Sequence, residues 1–232
     1  MPVSTEKSQF WRGTRDGAPF LLAVVPFGML FGVVATEAGL NLTEIMGMSI
    51  VVVAGAAQFT AISLMQDGAP TLIVILTALA VNLRMAMYSA ALTPYLGAAP
   101  LWQRAAIAYM VVDQSYAVSA LTFERETLSI AQRVSYFTGV VWHVILLWYA
   151  TTYVGAVIGE TIPSWLALDF ALPIMFLAIV APALRTLPHV GAATVSIVLA
   201  LSLTWVPYQL GLLIAALAAM LTGAELERRL GK

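Results

Sequence analysis

The sequence of 232 residues has no cysteine, only two histidines, and charged side chains at just 10% of its positions. The missing cysteine excludes disulfides, thiol catalysis and thiolate metal sites. The two histidines fall in different apolar runs, with no acidic neighbour at metal-ligand spacing, so neither a metal nor a cofactor is expected. No G-x-S-x-G, H-E-x-x-H or P-loop pattern occurs, which argues against an enzyme. The scarcity of charge is the most restrictive absence, because soluble domains carry about 25% charged residues. A chain that is 61% apolar, with mean hydropathy +0.90, cannot cover its surface in water. Lipid must be the solvent for most of it. A net charge of −1 argues against nucleic acid as a partner.

What the chain has is long apolar runs. A membrane-crossing helix needs about 20 such residues. Eight segments qualify: about 18–39, 45–66, 70–92, 104–122, 134–158, 168–186, 189–206 and 208–224. The expected fold is all-α, a polytopic bundle of about seven or eight transmembrane helices. Residues 1–17 form a cytoplasmic amphipathic segment, 18–224 one bundle, and 225–232 a short basic tail. The seventh and eighth spans are short, and either cross or form a hairpin that does not. Arg12, Arg15, Arg125, Arg133, Arg185, Arg228, Arg229 and Lys232 all fall on one side of eight crossings. That side is cytoplasmic by the positive-inside rule, with both termini on it. Arg104 is the exception, and Trp102, Trp165 and Trp205 fall together at the outer interface.

"GMLFG" (28–32) and "GAVIG" (155–159) are matching small-xxx-small patterns, each followed by an acidic residue, Glu44 or Asp169, that opens the next span. They mark either an internal duplication, 18–122 and 134–224, or a chance recurrence of glycine pairs.

Polar residues at membrane depth are expensive and default to function. "AVNLRMAMYSA" (80–90) carries Asn82 and Arg84 deep in span three. Either Arg84 snorkels, or the two polar groups mark a local helix break facing a cavity. Asp113 lies near the centre of span four, and a continuous helix puts Tyr109 and Tyr116 on its face. A carboxylate there needs a partner or a proton. Arg84 is the candidate, with Tyr88 one turn further on. The pair either fixes helix register or belongs to a substrate pathway. In span two, Gly55, Ala56 and Ala57 let a backbone or ligand come close, and Gln58 offers an amide at that narrow point. Pro26 can kink span one. His143 is either a proton sensor or a hydrogen-bonded bundle residue, and His189 lies at a span boundary.

"PFGMLFG", "VVVAGAAQFTA", "LTALAVNLRMAMYSAALTPYL", "VVDQSYA" and "LDFALPIMFLAIVAPAL" together resemble the AzlC family of branched-chain amino acid permeases, the larger subunits of AzlCD- and YgaZH-type exporters. The likeness is densest from 50 to 117. Met85 stands where the family commonly has histidine, and Gln114 where it commonly has glutamate. The resemblance implies export of valine, leucine, isoleucine or analogues across the bacterial inner membrane, with a small AzlD-type membrane partner. On that basis Arg84, Asn82 and Gln58 would meet a carboxylate. Asp113 would meet the ammonium or carry a proton, and Gly55, Ala56, Ala57, Tyr88 and Tyr116 would complete the substrate site. The reading from another class is a non-transporting membrane scaffold in which Arg84–Asp113 is structural.

Overall fold

The computed structural model describes residues 5–159, 184, 186–207 and 210–230, and the described residues are helical with no strand. Two compact units emerge: Met1–Ser63 with Val74–Leu166, and Leu64–Ile73 with Ala167–Lys232.

The first unit is built on two long parallel helices. Thr5 starts α1 (Glu6–Gly17) by accepting from the Ser8 amide, and a 3-10 turn at Ala18–Phe20 leads into α2 (Leu21–Glu37), which continues through Pro26. Both pack along α8 (Ile130–Gly159). Glycine makes the approach possible. A Cβ at Gly13 would strike the Tyr136 carbonyl, one at Gly32 the Thr152 carbonyl, and one at Gly155 the Met29 carbonyl. Lipid supplies no hydrophobic force between helices, so close backbone contact is what holds them. Thr36 adds a bridge, donating to Gly32 O (3.0 Å) and Ala156 O (3.2 Å). Contact partners rise in number together, so α2 and α8 run parallel. "GMLFG" and "GAVIG" are therefore the two sides of one interface. The end holding Glu6 and Ile130 is called proximal, and the end holding Glu37 and Gly159 distal.

Asn41 and Glu44 cap α3 (Leu42–Val51) reciprocally: Asn41 Oδ1 accepts from the Glu44 amide at 3.1 Å, and Glu44 Oε2 from the Asn41 amide at 2.8 Å. Glu44 at the head of span two is thus a capping residue. From the distal end α3 runs inward to Ile50, beside Tyr149, and stops at an extended Val52 (φ −125°, ψ 92°). α4 (Gly55–Gln66) then turns back. Gln58 Nε2 donates to Ser49 Oγ at 3.4 Å, and the Phe59 ring packs on Phe27 and Phe31 at 5.0 and 5.6 Å. A continued helix would separate positions 49 and 58 by about 13.5 Å along its axis. Span two is a re-entrant pair rather than a crossing.

α5 (Thr71–Leu96) is one unbroken helix running toward the proximal end. α6 (Leu101–Met110) and α7 (Asp113–Arg125) form a second re-entrant pair. Arg104, in the first turns of α6, donates to Gly97 O at 3.3 Å, while the Phe123 ring near the end of α7 lies 5.8 Å from that of Tyr95. Arg133 Nη1 donates to Tyr95 O at 3.1 Å and lies over both rings. Both outer ends of this pair therefore sit at the proximal end. Its tip, Val111–Val112, lies in the interior. Span four is not a crossing either. Trp102 and Arg104 consequently lie at the proximal end, the end of Arg12 and Arg133, not at the opposite interface.

The break expected in span three is absent. A helix satisfies its own backbone, so Asn82 and Arg84 project from α5 without opening it. The breaks fall instead at Val52–Val53 and Val111–Val112. Among the described residues, four continuous helices are long and apolar enough to cross a membrane: Glu6–Glu37, Thr71–Leu96, Ile130–Gly159 and Leu210–Leu230.

In the second unit, Thr186 caps α9 (Leu187–Ser202), which packs against α10 (Leu210–Leu230), Gly191 meeting Leu226 and Gly223 meeting Ala192. Spans seven and eight thus form an antiparallel hairpin, and His189 is exposed at its edge. Span six lies almost entirely outside the described residues, as do Trp165, Asp169 and Arg185.

Candidate functional site

The centre of the first unit is where the two re-entrant tips meet. Asp113 is the first residue of α7, where a negative charge is favoured by the exposed N–H groups of the helix end. Arg84 Nη2 reaches Asp113 Oδ2 at 3.3 Å, and the Tyr88 hydroxyl donates to Asp113 Oδ1 at 3.0 Å. Tyr88 and Tyr116 stack with centroids 4.3 Å apart and planes 10° from parallel. Four predicted residues, Arg84, Tyr88, Asp113 and Tyr116, are therefore one cluster. It is not sealed, since the Arg84 and Asp113 side chains stay 37% and 43% exposed. Arg84 Nε, and Asn82 Oδ1 from the same helix, are buried with no hydrogen-bond partner among the described residues.

Tyr109 goes elsewhere. The break at 111–112 cancels the i−4 relation to Asp113. Its hydroxyl donates to Ile50 O at 2.7 Å and lies 2.6 Å from the Tyr149 hydroxyl. That contact joins the tip of one re-entrant pair to the tip of the other.

Gly55, Ala56, Ala57 and Gln58 form the first turn of α4. A Cβ at Gly55 would meet the Phe27 and Trp148 rings. Gln58 is fully buried, and its Oε1 has no partner among the described residues. No described hydrogen bond joins this group to the Arg84–Asp113 cluster. His143 is buried where α1 passes into the 3-10 turn, its ring beside Gly17.

A second polar network, missed by the sequence reading, occupies the proximal end. Arg12 donates to both Glu126 carboxylate oxygens, at 2.7 and 2.6 Å. Tyr136 donates to Asp16 Oδ2 at 2.8 Å and accepts from the Thr122 hydroxyl at 2.9 Å. These bonds tie α1 and α8 to the last turn of α7. The Arg12 guanidinium holds the Glu126 carboxyl below its usual range. Arg12 and Asp16 at i,i+4 in an amphipathic segment were its only sequence signal.

The AzlC protein family model matches residues 19–162, which takes in both re-entrant pairs and all four residues of the cluster. The chain belongs to the AzlC family. Among relatives, it is 27% identical over 193 residues to an uncharacterized membrane protein of Archaeoglobus fulgidus, covering 82% of each chain. It is 24% identical over 180 residues to the inner membrane protein YgaZ of Escherichia coli K12, covering 73% of this chain and 71% of YgaZ. A membrane protein of Helicobacter pylori is 27% identical over 125 residues, about half of either chain (52% and 54%). No solved structure matches. This AzlC protein is thus a membrane protein, and both re-entrant pairs and the Arg84–Asp113 cluster lie in the part of it that the family model covers.

Proposed function

We propose that this AzlC protein is the larger subunit of a secondary transporter that exports branched-chain or similarly hydrophobic amino acids across the bacterial inner membrane. The observation that carries the reading is the Arg84–Asp113–Tyr88 cluster at the junction of two helix pairs that enter from opposite ends. An amino acid presents one carboxylate, one ammonium and an apolar side chain. Arg84 suits the carboxylate, Asp113 the ammonium or an exchanged proton, and the small first turn of α4 the side chain. Gln58 Oε1 and Asn82 Oδ1 are buried acceptors with no partner among the described residues.

The order of parts supports transport. α2–α3–α4 and α5–α6–α7 are each a long helix followed by a re-entrant pair, entered from opposite ends. Sequence positions 59 apart correspond: Leu42 with Leu101, Val52–Val53 with Val111–Val112, and "TAIS" (60–63) with "SALT" (119–122). Inverted repeats with discontinuous helices near mid-membrane are the architecture of many secondary transporters. This pairing differs from a duplication of 18–122 with 134–224.

Sidedness follows from charge. Arg12, Arg15, Arg104, Arg125 and Arg133 are all proximal, while the turns 38–41 and 67–70 hold no Lys or Arg. The proximal end then faces the cytoplasm, and Arg104 ceases to be an exception. A small AzlD-type membrane subunit completes the proposed exporter.

The test is movement of labelled L-valine in proteoliposomes, with and without a co-purified small subunit. Saturable movement lost in a folded Arg84→Ala protein supports the reading. No movement with the partner present overturns it and favours the scaffold alternative, for which the existing Arg84–Asp113 pairing speaks.

A further inference from the structure

Beside the charge cluster lies a cavity that the proposed substrate site leaves unused. It occupies about 350 Å³ between the second half of α5 and α6, within the first unit. Arg104 and Gly97 line its proximal end, and Ser89 and Val111 its inner end. Ser89 directly follows Tyr88, and Val111 is two residues before Asp113. From Gly97 to Ser89 the cavity follows α5 for about 12 Å. Its inner end therefore adjoins the cluster through the chain itself.

The lining has two chemistries. Leu92, Leu96, Ile107 and Val111 form an apolar wall, whereas Arg104 supplies a cation at the proximal end. Arg104 gives one N–H to Gly97 O and forms no ion pair among the described residues. A guanidinium carries five donors in a planar fork that fits a carboxylate. Ligand pockets typically begin near 300 Å³ and combine apolar walls with a few polar groups. The combination of one carboxylate reader and a branched-aliphatic wall selects a small apolar amino acid. The corresponding position between α2 and α3 has no such cation: Ile45 stands 59 positions before Arg104, and Ile45 and Ser49 are fully enclosed.

We infer that the α5–α6 cavity is a loading site, distinct from the Arg84–Asp113 cluster, where a branched-chain amino acid is held by its carboxylate on Arg104 before it moves inward. The inference rests on the exporter reading and adds a second site to it.

The absence of cysteine allows a direct test. Ala108→Cys puts a single thiol in the cavity wall, and its maleimide labelling rate is followed in nanodiscs containing the small subunit. L-Valine and L-leucine are expected to slow labelling several-fold, and L-valinamide, which lacks the carboxylate, is expected not to. Adding Arg104→Gln should abolish the protection, and Arg104→Lys should keep part of it. Equal protection by valine and valinamide overturns the role of Arg104. A labelling rate set by the anionic-lipid content of the nanodisc, and not by amino acid, overturns the cavity as an amino-acid site. Absence of protection alongside Arg84-dependent valine transport removes the loading site but leaves the exporter intact. Absence of both protection and transport removes both.

Discussion

The Tyr109 hydroxyl donates to the carbonyl of Ile50 at 2.7 Å, across the meeting point of the two re-entrant tips. Ile50 belongs to the last turn of α3, whose terminal carbonyls have no amide left to accept from. A hydroxyl from α6 supplies the missing donor, and Tyr149 of α8 lies 2.6 Å behind it. Three helices are thereby held at one backbone oxygen. Any movement of one tip past the other must break this bond.

Tyr109→Phe should lower stability by about 0.5–1.5 kcal/mol, the ordinary net value of a hydrogen bond. Tyr149→Phe should cost less alone, because Ile50 keeps its donor. The double variant should be little worse than Tyr109→Phe, since Tyr149 acts through Tyr109. Thermal unfolding in detergent measures all three. Fully additive effects would mean that the hydroxyls act separately.

The membrane class, the family and the central ion pair were legible in the sequence. Scarce charge forces a lipid-solvated chain, and an arginine and an aspartate at membrane depth in neighbouring runs are natural partners. The re-entrant pairs were not legible. An apolar run of about 20 residues reads alike whether it is one crossing helix or two half-helices folded back. The face assigned to Tyr109 failed for that reason, since i−4 geometry presumes an unbroken helix. Arg104 was the available clue: it violated the charge rule under eight crossings and obeys it once span two turns back, while span four turning back keeps Arg125 and Arg133 on the same side. Asn82 and Arg84 suggested a break because polarity was taken to mean freed backbone, whereas the helices are interrupted at the apolar stretches around Val52–Val53 and Val111–Val112.

Packing of α2 on α8 predicts a steep response to side-chain size. Gly155→Val would drive methyl groups into the Met29 carbonyl of α2, with no flexible neighbour to yield. Folded protein recovered by fluorescence-detected size exclusion should fall severely. Gly47→Ala, where an added Cβ meets nothing within 4 Å, should leave recovery unchanged. Equal losses at both positions would show that glycine matters here for backbone reasons other than the interface.

Glu126 predicts a pH dependence of known sign. Its folded carboxyl titrates below the unfolded value because Arg12 holds the carboxylate. The pair therefore contributes fully above the unfolded carboxyl range, near pH 4.3. The contribution fades as pH falls through the lower folded value. Wild-type stability should drop between pH 6 and roughly pH 3 by more than that of Glu126→Gln, in which the titrating group is gone. Parallel pH profiles for the two proteins would remove the Arg12–Glu126 bond as a source of acid sensitivity. The contribution should also shrink in high salt, as Arg12 and Glu126 are each over a third exposed.

The Arg84–Asp113 pair separates a substrate site from a scaffold. Arg84→Asp alone sets two carboxylates together at membrane depth, where an unmatched charge costs about 2.5–3.5 kcal/mol on insertion scales. Poor assembly is expected. The exchanged protein, Arg84→Asp with Asp113→Arg, restores opposite charges. Its arginine then stands at the first position of α7, against the positive helix end, a penalty of about 0.3–1 kcal/mol. Assembly should therefore recover substantially but not wholly. A scaffold needs only the attraction, so its function should return with assembly. A substrate site needs each charge on its own helix, because the carboxylate and ammonium of one bound amino acid cannot exchange ends without moving the side chain out of its pocket. For the exporter we expect monodisperse exchanged protein with L-valine transport at background. Asp113→Asn should assemble, keep the Tyr88 contact through its amide oxygen, and lose the dependence of transport on the proton gradient. Unchanged pH dependence in Asp113→Asn would end the coupling role of Asp113, whichever way the exchanged protein behaves.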